Sequence, residues 1–245
     1  MNPNENIYIK ITELLGHKPQ NFSILEEQID LDVQMEYFEF SRSLNHADDF
    51  LALQEKKDLL YNPAIDKTVK KEVLARLAFS DEIEAYRILQ TYVHQADEDL
   101  HDWAILAMQE CRVLIASKLL DENQVFISTG LGGKGFKLRY FIVLLLRPKK
   151  RMTPLRERII STEIETVLRK LAIDVESLHF ASRFVTLLVM IPLDVTIRSA
   201  FDKIIASCNY YGNFLQEQFI ITNVRILADN EIKKCSRKKS PTRNH

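Results

Sequence analysis

Cysteine is scarce: Cys111, Cys208 and Cys235 are the three in the chain, and they stand far apart. No CxxC pair occurs, so neither a disulfide framework nor a zinc site is indicated, and a reducing cytoplasm is the expected compartment. Long apolar runs are also missing. The longest, near residues 140–146 and 184–193, fall well short of the roughly 20 residues that a spanning helix needs, and their branched and aromatic content is that of buried strands. No membrane attachment is therefore expected. The opening MNPNENIYIK has no basic stretch followed by an apolar core, so no secretory signal is expected either. Glycine is limited to six residues, four of which (Gly130, Gly132, Gly133 and Gly135) crowd into one short stretch.

An excess of charge of either sign is missing too, but the net value of -1 conceals a segregation. Residues 1–121 carry 12 Lys and Arg against 23 Asp and Glu, whereas residues 122–245 carry 21 against 11. The basic half meets a polyanion, the two halves attract each other, or both faces are simply solvated. The change of sign coincides with the glycine cluster and with a change of apolar periodicity, which makes residues 124–151, QVFISTGLGGKGFKLRYFIVLLLRPKKR, a junction.

Before the junction the periodicity is helical. In residues 1–65, Pro19 marks a break, Ser23 with Glu26 reads as a capping box, and Leu31, Met35 and Phe38 recur near helical spacing. Asn62-Pro63 closes a segment running from Phe50 to Leu60. From Asp66 to Leu120 three helices are expected, the third carrying Leu100, Trp103, Ala104, Ala107, Cys111 and Leu114. Ser80-Asp81 and Ala96-Asp97 form the junctions, with acidic residues in the following first turns, where the positive end of the helix dipole favours them. The stretches LARLAFSDEIEAYRILQTY and QADEDLHDWAILAMQE resemble HEAT-type helical repeats over about 55 residues. That resemblance implies a binding surface, built from at most two units.

After the junction the order becomes strand, helix, strand, strand, helix, strand. Lys137 to Arg147 is a strand, and Thr153-Pro154 starts a helix with a stripe of Leu155, Ile159, Ile160, Val167, Leu168 and Leu171. Leu178 to Phe180 and Phe184 to Ile191 form a hairpin, Asp194 caps a second helix ended by Gly212-Asn213, and Phe214 to Leu227 is the last strand. Residues 137–230 resemble the ferredoxin-like sandwich in this order. Both faces of the Leu138 to Leu146 strand are apolar, which predicts that the helical half or a second copy covers the face left by the helices. The fold class expected is thus α+β: an N-terminal all-α HEAT-like domain over residues 1–121, a Gly-rich linker at 122–136, a ferredoxin-like βαββαβ domain at 137–232 and a disordered basic tail at 233–245.

Candidate chemistry is thin. GLGGKG leads into a strand, so it satisfies neither the Walker nor the dinucleotide template, and a backbone phosphate nest competes with a plain flexible linker. His94 and His101, with Asp97, Glu98, Asp99 and Asp102 near them, are read as a helix start whose acids complement the dipole rather than as a metal site. No nucleophile-base set is marked out, no cofactor motif occurs, and nothing argues for an enzyme. The best lead is a set of anion or nucleic-acid contacts: Lys134, Lys137, Arg139, Arg147, Lys149, Lys150 and Arg151. Exposed aromatics on a central strand, which sequence-reading RNA-binding versions of this topology use, are not evident. The function expected is a non-catalytic binding or adaptor protein, the basic half contacting nucleic acid or a ribonucleoprotein and the helical half a protein. The alternative is a small-molecule-sensing or structural protein that dimerises through the sandwich sheet.

Overall fold

The computed structural model describes residues 7–15, 21–44, 50–121 and 124–238. In chain order the elements are α1 (Ile7–Leu15), β1 (Phe22–Ile24), α2 (Leu31–Ser43), α3 (Phe50–Glu55), a 3-10 turn (Lys57–Leu60), α4 (Lys67–Phe79), α5 (Ile83–Val93) and α6 (Glu98–Leu120). They continue with β2 (Val125–Ile127), β3 (Gly133–Lys134), β4 (Lys137–Leu146), α7 (Pro154–Lys170), β5 (Asp174–Phe180), β6 (Phe184–Pro192), α8 (Ile197–Tyr210), β7 (Leu215–Thr222) and α9 (Asp229–Lys238). The chain is α+β, and it divides into two compact units, one built mainly from residues 29–128 and the other mainly from residue 129 onward.

In the helical unit, Asp30 caps α2 by accepting from the Asp32 amide, and Asp66 caps α4 through the Thr68 amide, both at 2.8 Å. The core centres on Trp103, which meets the rings of Tyr37 and Phe40 edge-on at 5.3 and 5.4 Å, with the Lys71 ammonium 4.1 Å from its ring centre. Trp103 is thus the anchor of this core. The acids near His94 and His101 are used in ion pairs: Asp99 with Lys67, and Asp97 with the buried Lys70 at 3.7 Å.

One expectation for this half is corrected. Ser23 caps no helix; it lies in β1, which pairs in parallel with β2, and the helix begins only at Leu31 behind Asp30. The apolar alternation Phe22, Ile24 against Val125, Ile127 wins over the capping pattern, because pairing satisfies backbone groups that a lone cap would leave open. Helix α4 packs on α5, and both pack on the 23-residue helix α6, as does α2.

The second unit is an antiparallel sheet in the order β7–β4–β6–β5, with β3 folded as a hairpin arm on β4. The central pair β4–β6 is in unbroken register from Lys137 opposite Pro192 to Leu145 opposite Phe184. Alternation puts Leu138, Tyr140, Ile142, Leu144 and Leu146 on one face, all buried, as are Ile160, Ile164 and Leu168 of α7 and Phe201, Ile204 and Ile205 of α8. Thr153 caps α7 as expected, but Leu155 is 68% exposed rather than part of the stripe. Asp194 is not the cap of α8, whose preceding residue is Thr196, and β7 ends at Thr222 because the Asn223 carbonyl turns to accept from the Leu131 amide at 3.0 Å.

The opposite face of β4 carries Phe141, Val143 and Leu145, and the chain covers it by itself. Phe184, Leu131 and Ile232 of α9 complete this second core, with Leu227 and Ile220 at its margin. The expectation that the helical half or a second copy would cover this face is therefore corrected. So is part of the expected tail: residues 233–238 continue α9, and residues 239–245 lie outside the described residues. The basic composition hid the anchor, a single buried Ile232 backed by Arg225, whose guanidinium binds both oxygens of Glu231 at 2.5 and 2.8 Å.

The segment 129–134, expected as linker, belongs to this unit as well. A Cβ on Gly130 would sit 1.9 Å from the Val224 carbonyl oxygen, and one on Gly132, at φ +67, 2.5 Å from the Glu26 carbonyl oxygen. These glycines serve close backbone approach rather than flexibility. Among the described residues no helix is long and apolar enough to cross a membrane.

The docking of α9 makes two predictions. Ile232→Ala should destabilise the sheet unit by about 2–5 kcal/mol in chemical denaturation and raise binding of an apolar dye. The Arg225 guanidinium and the Ala228 amide pull the Glu231 carboxyl down from 4.5 to about 2. A depressed carboxylate stabilises the fold above its unfolded value and loses that contribution as pH falls through the folded one. Dye binding should therefore rise as pH drops from about 4.5 towards 2, and Glu231→Gln should raise it at neutral pH and remove this acid step.

Candidate nucleic-acid interface

The seven basic residues singled out in the sequence do not meet on one surface. Lys137 and Arg147 stand ten residues apart on and just beyond β4, so at about 3.3 Å per residue the two groups are roughly 33 Å apart, at opposite ends of the sheet. The group at the start of β4 is largely occupied. Lys137 Nζ is 2.6 Å from Asp174 Oδ2, and Arg139 grips both oxygens of Glu176 at 2.6 and 3.0 Å while donating to the Leu131 carbonyl at 2.5 Å. With its side chain only 15% exposed, Arg139 ties β4 to the β5 edge and to the loop before β3. Lys134 is exposed at the tip of the β3–β4 hairpin.

Nor does the glycine-rich piece form a phosphate nest. The Leu131 amide donates to Asn223, the Gly132 amide to Thr129, and the Gly132 carbonyl accepts from Arg139, so the loop's polar backbone groups close on the protein itself.

The group at the far end of β4 is different. Here the chain leaves the sheet through a tight turn in which the Lys150 amide donates to the Arg147 carbonyl at 3.1 Å and Lys149 takes the left-handed conformation at φ 66. The turn is pinned on both sides. The Arg147 amide donates to the Phe214 carbonyl at 2.8 Å, and the Met152 amide to the Ser182 carbonyl at 2.9 Å. Arg147 is partly committed, its Nε to the Leu215 carbonyl at 2.9 Å and one terminal nitrogen to Glu217 at 3.2 Å.

Lys149 and Arg151 are exposed and Lys150 half-buried, and no ion pair is seen for any of the three among the described residues. Two further cations join them. Arg183 is exposed in the β5–β6 hairpin turn, where its carbonyl accepts from the Leu146 amide, and Arg156 lies in the first turn of α7. Arg156 donates to the Arg151 carbonyl and lies 5.4 Å from the Phe214 ring centre. Sequence inspection missed these two because they are spread over 28 positions and converge only when the hairpin, α7 and β4 meet at one end of the sheet.

Phe184, the aromatic at the start of β6, is buried and offers no stacking face. Among the described residues no group of three or more His, Cys, Asp or Glu is placed to hold a metal ion. Burial pushes the Cys111 and Cys208 thiols up to about 12, so neither is a nucleophile at neutral pH.

No protein-family model matches the chain, and no curated protein was found similar to it. Among the solved structures that are similar in part are two transposases. One is a REP-associated tyrosine transposase bound to a REP hairpin, at 13% identity and a TM-score of 0.33, the match spanning 41% of this chain and 66% of that one. The other is the crystal structure of a "putative transposase" from Deinococcus radiodurans R1, at 9% identity and a TM-score of 0.34, spanning 43% of this chain and 91% of that one. Both are described as transposases and neither as an adaptor, which corrects the expectation of a non-catalytic adaptor protein.

The two basic groups should separate in experiment. Arg139→Ala strands the Glu176 carboxylate and the Leu131 carbonyl, and should lower stability by about 1–3 kcal/mol while leaving oligonucleotide affinity unchanged. Denaturation and anisotropy measured on the same preparation check both halves of this expectation.

Proposed function

We propose that the sheet unit is a ferredoxin-like sandwich that binds nucleic acid by its phosphates, at the end of the sheet where β4 runs into α7. The βαββαβ order and the β7–β4–β6–β5 arrangement support the fold reading. A single observation carries the functional one: Lys149, Lys150, Arg151 and Arg183, without ion pairs among the described residues, gather around one pinned turn together with Arg156. Cations that the fold does not consume are available to displace the counterions of a polyanion. Lys134, Lys137 and Arg139 take no part in this reading, since the last two hold the sheet edge together. The turn supplies rigidity. A lysine presented from a left-handed turn fixed by two backbone bonds loses less freedom on binding than one on a loose loop.

Salt dependence tests this. If about four to six phosphates are neutralised, the logarithm of the affinity should fall by roughly 0.7–0.9 per phosphate for each decade of salt. Replacing Lys149, Lys150 and Arg151 together by Ala should flatten that slope by roughly two to three units and leave the melting temperature nearly unchanged, because exposed cations add little stability. No binding to any oligonucleotide at low salt would remove the reading.

A further inference from the structure

At the same end of the sandwich, α8 finishes in two tyrosines that the fold leaves in solvent. Tyr210 is 87% exposed and Tyr211 60%, with ring centres 5.6 Å apart and planes at 88°. Large aromatics normally bury most of their surface, and a solvated pair held edge-to-face offers an open ring with a second ring bracing it.

The pair is held in place rather than dangling. Asn209, the residue before it, closes both backbone groups of Leu215: its amide donates to the Leu215 carbonyl at 3.0 Å and its oxygen accepts from the Leu215 amide at 2.8 Å. The Gly212 and Asn213 amides both return to the Asn209 carbonyl, at 3.2 and 2.8 Å, so the two tyrosines sit on a short, doubly tied bridge between α8 and β7.

That bridge leads straight into the basic end. Tyr211 is three residues from Phe214, hence within about 11 Å of it along the chain. Phe214 in turn accepts from the Arg147 amide and lies beneath the Arg156 guanidinium. Solvated aromatic rings at the same end as Lys149, Lys150, Arg151 and Arg183, for which no ion pair is seen among the described residues, supply the two parts of a single-strand binding surface: cations follow the phosphates while rings stack on bases, which have open faces only when unpaired.

We propose that Tyr210 and Tyr211 form a stacking platform for unpaired bases, so that the nucleic acid taken at this end is single-stranded. This rests on the phosphate-binding reading above and adds the class of strand. Stacking on a ring is indifferent to base identity, so the surface takes single strands with little sequence preference.

Fluorescence anisotropy with a labelled oligodeoxythymidine of about 12 nucleotides, and with a duplex of the same length, tests it. The wild-type chain should bind the single strand more tightly. Tyr210→Ala with Tyr211→Ala should weaken single-strand binding about tenfold or more and leave duplex binding unchanged, whereas Tyr210→Phe with Tyr211→Phe should retain it. Both variants should melt with the wild type, because the rings bury little. If neither probe binds the wild type, the phosphate reading fails and takes the platform with it. If the single strand binds and the double Ala variant holds it equally well, or loses strand and duplex alike, the platform alone is overturned.

Discussion

The sheet unit depends on one strand that has no polar face over most of its length. β4 is buried without a break from Tyr140 to Leu146, so each side must be closed by something apolar, and the two closures organise everything around it. Helices α7 and α8 occupy one side. On the other, an otherwise highly polar C-terminal helix contributes one isoleucine, Ile232, and the glycine-rich loop contributes Leu131. The loop comes close enough only because Gly130 and Gly132 have no side chain to strike Val224 and Glu26. What reads in sequence as a flexible junction is therefore a lid strip on the sheet.

The same strand sorts the charges. Cations at its start project from positions flanked by a sheet edge that carries Asp174 and Glu176, and they are drawn into pairs there. Cations past its end leave the sheet before any acidic edge reaches them, apart from the contact of Arg147 with Glu217. Opposite partners within hydrogen-bond reach turn a lysine or arginine into a structural group; without them it remains available to an external anion. The charge segregation of the chain does not make this distinction, since both groups count equally in it.

Much of the sheet unit was legible. The strand, helix, strand, strand, helix, strand order follows from periodicity, and the Thr153-Pro154 start and the central placement of the two most apolar strands follow from residue type alone. In the helical half, the junctions at Ser80 and Asp97 were equally visible. The capping box at Ser23 misled, because a local pattern was outbid by pairing with β2 a hundred residues away. That α4 and α5 pack on each other and share α6 as a common partner was not legible in the same way, because no local pattern records which helix another one packs on.

The sequence by itself determined which segments are helix and which strand across most of residues 66–222, and that β4 needs cover on both faces, because periodicity and residue type act within a few positions of the chain. Only the tertiary structure decided what supplies that cover, which basic residues are spent in pairs, and that Arg156, Arg183 and the Tyr210–Tyr211 bridge share one end with the Arg147–Arg151 turn. Those outcomes hang on register and on long-range contact. A shift of one position in the pairing of β4 with β6 would send every side chain of the strand to the other face, and no residue type announces which register wins.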